Sequence, residues 1–174
     1  IEVSAFIAAP YAGLNLAQLG AEVIRIDPIG GGLDYNRWPV TDDGKSLYWA
    51  GLNKGKKSVT LNVRDPKGRE LAHNLMTIAG PGNGIVITNL PARGWLDYNG
   101  LKAKREDLIM VNIVGRRDGS VALDYTVNAR AGFPLITGPV GTEGPVNHVM
   151  PVWDVVTAQA ASNAVLVADR HRRD

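Results

Sequence analysis

The chain has no cysteine. That excludes a disulfide scaffold, a thiolate metal site and a thiol nucleophile, and a reducing, cytoplasmic setting is the plain expectation. Histidine is scarce as well: His73, His148 and His171 share no metal-ligand spacing, so no metal site is expected. No apolar run approaches the roughly 20 residues that span a bilayer, and the first residues lack the charged-then-apolar pattern of a signal peptide. A soluble chain with no membrane partner is expected. Charge of one sign is missing too, since 19 Lys and Arg against 17 Asp and Glu leave a net +2, which gives no reason to expect a nucleic-acid partner. There is no G-x-S-x-G elbow, no phosphate-binding G-x-x-x-x-G-K loop and no G-x-G-x-x-G fingerprint. Serine hydrolases, P-loop enzymes and nicotinamide dehydrogenases therefore have no support.

What is present is a regular alternation. The runs Ala21–Asp27, Lys57–Val63, Gly84–Thr88 and Asp107–Ile113 are β-branched and bounded by breakers, which predicts buried strands. Helices are predicted over Pro10–Leu19, over Pro66–Ala79 with Asp65 as N-cap and Pro66 at the first helical position, and near Tyr98–Glu106. The alternation predicts an α/β fold, a Rossmann-like, mostly parallel sheet flanked by helices. In such sheets ligands sit beyond the carboxyl ends of the strands, where the loops DPIGGGLDYNRWP, TNLPARGW and VGRRDGS are expected. A chain of 174 residues with 45% hydrophobic content fits one domain or part of one. It begins at Ile1, without methionine and inside an expected strand, so a piece of a longer protein is expected.

Two acids stand out, Asp124 in ALDYTVNARAGF and Asp154 in MPVWDVVTAQAASNAVLVADRHRR. Each opens a helix-like run, so each is either an N-cap or a carboxylate aimed at a ligand, and the residues alone favour the cap. Gly30-Gly31-Gly32 could let a backbone approach a phosphate, although a flexible loop is the simpler reading. Lys54, Lys56 and Lys57 before a strand, with Arg64 at its end, could neutralise a nucleotide's phosphates or simply form a solvated turn.

A resemblance shifts the weight. The strings SAFIAAPYAGLNLAQLGAEVIRIDPIGGG, LNKGKKSVTLNVRDPKGREL, VITNLPARGW, LDYTVNARAGFPLITG and MPVWDVV, in that order, resemble the front part of the class III CoA-transferases, a family that also contains α-methylacyl-CoA racemases. The likeness runs through the whole chain. GGGLDYNRWPVTDDGKSLYWAGLNKGKKS, IMVNIVGRRDG and VNHVMPVWD resemble most the members that move CoA between the two carboxyls of one branched, unsaturated C5 diacid.

The resemblance implies that residues 1–174 are the N-terminal part of the family's large domain, the remainder lying outside this sequence, and that the complete fold is an interlocked homodimer. It implies a nucleophilic Asp154 and a supporting Asp124, and CoA contacts at Ala5, Ile7 and Ala8, at Leu61, Asn62, Val63 and Arg64, and at Asn89. The partners implied are an acyl-CoA and a small dicarboxylate. No tightly bound cofactor is implied, coenzyme A being part of the substrate. A lysine contact of the family has no counterpart, because Val121 occupies that region; Arg116 or Arg117 is the available substitute. The family's glycine-rich loop does not follow Asp154. In racemases a histidine precedes the supporting acid, and Leu123 stands there instead, so the second base of a two-base racemisation is missing and transfer is favoured. The alternatives are transfer of CoA between two substrates, with another small carboxylic acid, and a non-catalytic acyl-CoA-binding module in which both acids merely cap helices.

Overall fold

The computed structural model describes residues Ile1 to Asp174. Five strands, β1 (Glu2–Val3), β2 (Ile24–Asp27), β3 (Lys57–Thr60), β4 (Ile85–Thr88) and β5 (Ile109–Asn112), form one parallel sheet in the order β3-β2-β1-β4-β5. Every predicted run contains its strand, but the strands are shorter. Ala21–Val23 precedes the first ladder pair, Ile24 with Lys57, and the chain leaves the sheet after Thr60. The strand order reverses between β1 and β4, which makes the gap beyond their carboxyl ends the topological switch point of the sheet.

The helices are α1 (Ala8–Gln18), α2 (Leu47–Asn53), α3 (Pro66–Thr77), α4 (Tyr98–Lys102), α5 (Asp124–Arg130) and α6 (Val152–Arg173). Asp65 caps α3 as expected, its carboxylate accepting the Lys67 N–H at 2.8 Å. Pro10 falls inside the first turn of α1, where a missing N–H costs nothing. Helix α2 was not predicted: LYWAGLN has two aromatics and a glycine, all modest helix formers. Ser46 sets its start by accepting the Trp49 N–H at 3.0 Å.

Side chains alternate across the sheet, as period two requires. Val3, Ile26 and Val86 face α3 and α4, meeting Ala72, Met76 and Leu101. Ile87 faces the other way, toward Ala9, Leu16 and Val165 of α1 and α6. On α6 the buried positions Ala158, Ala161, Ser162 and Val165 follow the 3.6-residue repeat. Their small side chains let α6 lie close against Ala12 of α1, and the Ser162 hydroxyl sits 2.9 Å from the Ala158 carbonyl and 3.3 Å from that of Ala12.

The far end of α6 is fastened by Arg172, which donates to the carbonyls of Asn83 at 2.7 Å and Asp107 at 3.3 Å. Both precede strands, so the C-terminus of α6 lies at the amino edge of the sheet. The N-terminus of this 22-residue helix, roughly 33 Å away at 1.5 Å per residue, therefore lies toward the carboxyl edge.

A charge network is sealed between β1, β2 and α1. Arg25 reaches Asp27 through Nε at 2.8 Å and through Nη2 at 3.0 Å, and Glu2 through Nη1 at 3.0 Å. Lys56 Nζ stands 2.8 Å from Glu2 Oε2 and donates to the Pro10 carbonyl at 2.7 Å and to Asn53 Oδ1 at 2.9 Å. Two cations thus meet two carboxylates with almost no exposure. Burial is the largest influence on Lys56 and lowers its pKa against the pull of Glu2. For Arg25 burial is again the largest single influence, but the hydrogen bond and charge of Asp27, with Glu2, outweigh it and raise the pKa. Gly13 makes the network possible, because a β-carbon there would lie 1.8 Å from Glu2 Oε2. The reading of the lysines as a phosphate site or a solvated turn is corrected for Lys56, which is a buried counter-ion; Lys54 is exposed, and Lys57 is exposed and pairs with Glu22 at the surface.

Candidate active site at the carboxyl edge

Asp154 lies in the first turn of α6, and Asp124 is the first residue of α5. Neither is the N-cap of its own helix. Leu123 is the cap residue before α5, its N–H donating to Thr126 Oγ1 at 2.9 Å, and Pro151 precedes α6. The Asp124 carboxylate crosses instead to α6, where Oδ2 accepts the N–H groups of Trp153 at 2.7 Å and Asp154 at 3.3 Å. The capping expectation is thus half right for Asp124, on a helix 29 residues away, and does not describe Asp154.

This cross-cap brings the two acids together. Asp154 is half-buried and its carboxylate accepts no protein hydrogen bond, so burial first, and the charge of Asp124 second, hold its pKa above the usual carboxylate value. The positive end of the α6 dipole acts in the opposite sense. A partly desolvated carboxylate with no donor tied to it is a stronger nucleophile than a solvated one.

Trp153 fixes the direction of the turn. Its indole N–H donates to Asn128 Oδ1 at 3.2 Å, and its ring meets Phe133 edge-on at 5.6 Å. Asn128, 1% exposed, also donates to Asn147 Oδ1 at 2.6 Å. Residues from α5, the following turn and the loop before α6 are therefore locked around the residue next to Asp154. The sequence held no signal for Trp153 or Asn128, because their partners lie 19 and 25 residues away.

The residues expected at CoA separate into two groups. Ala5, Ile7 and Ala8 form the passage from β1 into α1, at the switch point. Ala5 and Ala8 are buried, so only backbone groups there could face a ligand, and no side chain caps α1. Asn89, at the end of β4, holds this passage: its Oδ1 accepts the Ala5 N–H at 3.0 Å and its Nδ2 donates to the Ala5 carbonyl at 2.7 Å. Its carboxamide is committed to the protein. Phe6 adopts φ of 62°, a conformation unfavourable for a bulky side chain, and its N–H donates to buried Asp34 at 2.5 Å.

Leu61, Asn62, Val63 and Arg64 line a cleft of about 310 Å³ together with Pro28 and Ile29, beyond the carboxyl ends of β2 and β3. Asn62 shapes the turn, its Oδ1 accepting the Arg64 N–H at 3.2 Å, and Gly68 leaves room for the Asn62 carbonyl, which a β-carbon would approach to 2.1 Å. Gly31 and Gly32 serve internal packing rather than a phosphate, since β-carbons there would meet Tyr35 at 2.7 Å and the Asp27 carboxylate at 2.7 Å. A larger cleft of about 590 Å³ lies at the amino edge, where its Arg105 and Arg172 are tied to Asp107 and to backbone carbonyls, far from the paired acids.

Arg116, Arg117 and Val121 lie exposed in and after the turn that follows β5. His73 contacts the Trp95 carbonyl at 2.7 Å on the opposite face, and no three metal-binding side chains converge. No helix is long and apolar enough to cross a membrane.

Comparison with known proteins agrees with this layout. The profile of CoA-transferase family III matches residues 1–174. The chain is 61% identical to the 2-methylfumaryl-CoA isomerase of Chloroflexus aurantiacus, over 99% of this chain and 42% of that protein. It is 32% identical to a succinate-glutarate CoA-transferase of Agrobacterium fabrum, over 98% of this chain and 46% of the relative. Among solved structures, a CaiB/BaiF family protein from Brucella suis superimposes with a TM-score of 0.84 at 25% identity, covering 99% of this chain and 49% of the other. The chain thus spans less than half the length of each of these relatives.

Proposed function

The chain belongs to CoA-transferase family III, and we propose that it supplies the nucleophile and part of the CoA cleft of an enzyme that moves CoA between carboxyl groups through an aspartyl-CoA thioester. The observation that carries this reading is the cross-cap: Asp124 holds the start of α6 so that the half-buried Asp154 carboxylate, without a hydrogen-bond donor of its own, stands at the carboxyl edge of the sheet. The 61% identity to a 2-methylfumaryl-CoA isomerase supports 2-methylfumaryl-CoA as substrate, with CoA passing from C1 to C4 of one bound diacid.

The steps need no proton transfer. A carboxylate oxygen of Asp154 attacks the thioester carbonyl, and the CoA thiolate leaves, forming a mixed anhydride between Asp154 and the diacid. The thiolate then attacks the aspartyl carbonyl, and the diacid departs as a carboxylate, leaving CoA on Asp154. The other carboxylate of the same diacid attacks this thioester, giving a second anhydride, and the thiolate returns to the substrate carbonyl. Asp154 is regenerated. Keeping the freed diacid in place makes the return step effectively intramolecular, which is where most of the rate advantage arises. The pantetheine and nucleotide are assigned to the Leu61–Arg64 cleft and to the backbone from Ala5 to Ala8.

The test uses the full-length protein with 2-methylfumaryl-CoA labelled in the acid, unlabelled free diacid being added. Thioester migration from C1 to C4 without loss of label supports intramolecular transfer. Label exchange points to transfer between two substrates, as the name of the 32% identical relative describes for that protein. Absence of any thioester movement overturns the reading.

A further inference from the structure

Resting on that reading, we propose that Arg37 holds the second, non-thioester carboxylate of the diacid substrate. Arg37 lies in the loop between β2 and α2 and is fixed on several sides. Its Nη1 donates to Asp34 Oδ1 at 3.2 Å, while its guanidinium lies 4.4 Å from the Tyr48 ring centre and 5.6 Å from that of Phe6. Its backbone carbonyl accepts the hydroxyl of Ser46, the cap of the helix that carries Tyr48. Asp34, 3% exposed, is itself fixed by the Phe6 N–H.

The rings of Tyr48 and Phe6 hold the guanidinium without using its hydrogen-bond donors. Ordering an arginine costs rotamer entropy, and an ion pair whose arginine side chain is 43% exposed offsets little of it. Apart from the bond to Asp34, the guanidinium donors make no hydrogen bond to the protein. A planar cation held in one orientation with its remaining N–H groups free matches the two oxygens of a carboxylate.

Its place in the fold puts it near the reaction. Helices α1 and α6 pack with Ala12 against Ala158 and Ala161. One turn earlier on each helix come Ala8 and Asp154, so the Phe6 turn beneath Arg37 enters the site from the side of α1. Of the other cations near this edge, Arg25 and Lys56 are buried with acids, Arg64 lines the cleft assigned to CoA, and Arg116 and Arg117 lie exposed in the turn after β5 without the acid and the aromatic rings that hold Arg37 in place. Tyr48, whose phenol is pushed up to about 12, chiefly by burial, stays neutral under the guanidinium and also senses the charge of Asp154. The transfer needs such a cation: when the diacid is released from the first anhydride it carries two negative charges beside an acid pair, and it must remain there for CoA to reach its other end. A clamp on the far carboxylate favours diacids over monoacids and retention over exchange.

The test compares full-length wild type with Arg37→Gln and Arg37→Lys, each checked for folding by circular dichroism, on 2-methylfumaryl-CoA and on crotonyl-CoA, which lacks the second carboxylate. For Arg37→Gln the diacid-to-monoacid ratio of the rates at which the two thioesters load CoA onto Asp154, read as the mass of the intact protein, is expected to fall by about 30-fold or more, the loss typical of hydrogen bonds to a charged group. Arg37→Lys keeps a charge beside Asp34 but loses the fork, and a smaller fall of the same ratio is expected; it decides the matter if Arg37→Gln does not fold. An unchanged ratio in both variants overturns the proposal. Binding of free 2-methylfumarate by calorimetry separates this from the proposed function. If wild type forms no aspartyl-CoA yet binds the diacid about tenfold tighter than Arg37→Gln, the mechanism fails and the clamp stands; equal binding removes the clamp whatever the chemistry.

Discussion

The chain contains two pairs of acids close together, and they are treated in opposite ways. Glu2 and Asp27 are almost wholly buried, and each is matched by a cation at hydrogen-bond distance, so four charges sum to zero inside the fold. Asp124 and Asp154 are only half-buried, and neither forms an ion pair; the first spends its oxygen on two backbone N–H groups and the second on nothing. Saturated charges inside a sheet hold strands and helices in register. An unsaturated one at the carboxyl edge is left available for chemistry, at a cost in stability.

Breaking the saturated pair is expected to have the largest effect. Arg25→Met leaves Glu2 and Asp27 without their main partner and is expected to lower unfolding free energy by about 3–5 kcal/mol in urea titrations; a loss under about 1 kcal/mol would show that the network is not a structural unit. Gly13→Ala comes next. Its β-carbon collides with Glu2, and the expected loss is about 1–3 kcal/mol despite the better helix propensity of alanine. A neutral or stabilising outcome by thermal melting would mean that Glu2 can move aside.

At the other pair the effects on stability are smaller. Asp124→Ala removes the cross-cap and is expected to cost about 1 kcal/mol, whereas Asp124→Asn keeps an acceptor and costs less. Equal melting temperatures for the two variants would contradict the cap. For Asp154→Asn no loss of stability is expected. A carboxyl whose pKa is higher in the folded chain binds its proton more tightly there, so its contribution favours folding in acid and is lost as pH rises through the raised value. At neutral pH its charge is a burden, and the amide removes it. The smallest effect is a shift in pH dependence: the acid limb of kcat/KM is expected above the ordinary aspartate value of 3.8, and Asp124→Asn should move it to lower pH by removing the neighbouring charge. A limb that does not move separates the two acids.

The strands and α3 were legible because their signals are local. β-branched runs between breakers, and Asp65-Pro66 at a helix start, announce themselves within a few residues. Lys56 was not legible, since nothing in NKGKKS distinguishes the one lysine whose side chain turns inward to Glu2 from the two at the surface. Helix α2 was missed for weak propensity, and with it Tyr48. The pairing of Asp124 with the start of α6 joins residues 29 and 30 apart through a side chain, which no periodicity encodes. Asn89 was expected at CoA, and its carboxamide proved to be holding the Ala5 peptide. Arg37 gave no sign beyond its place in a loop expected at the carboxyl edge.

The most direct measurement is to incubate the full-length protein with 2-methylfumaryl-CoA, quench with hydroxylamine, and map the modified peptide by mass spectrometry. A hydroxamate on Asp154 alone, absent without substrate and absent in Asp154→Asn, is the predicted result. Modification at another carboxylate, or turnover retained by Asp154→Asn, would contradict the assignment of the nucleophile.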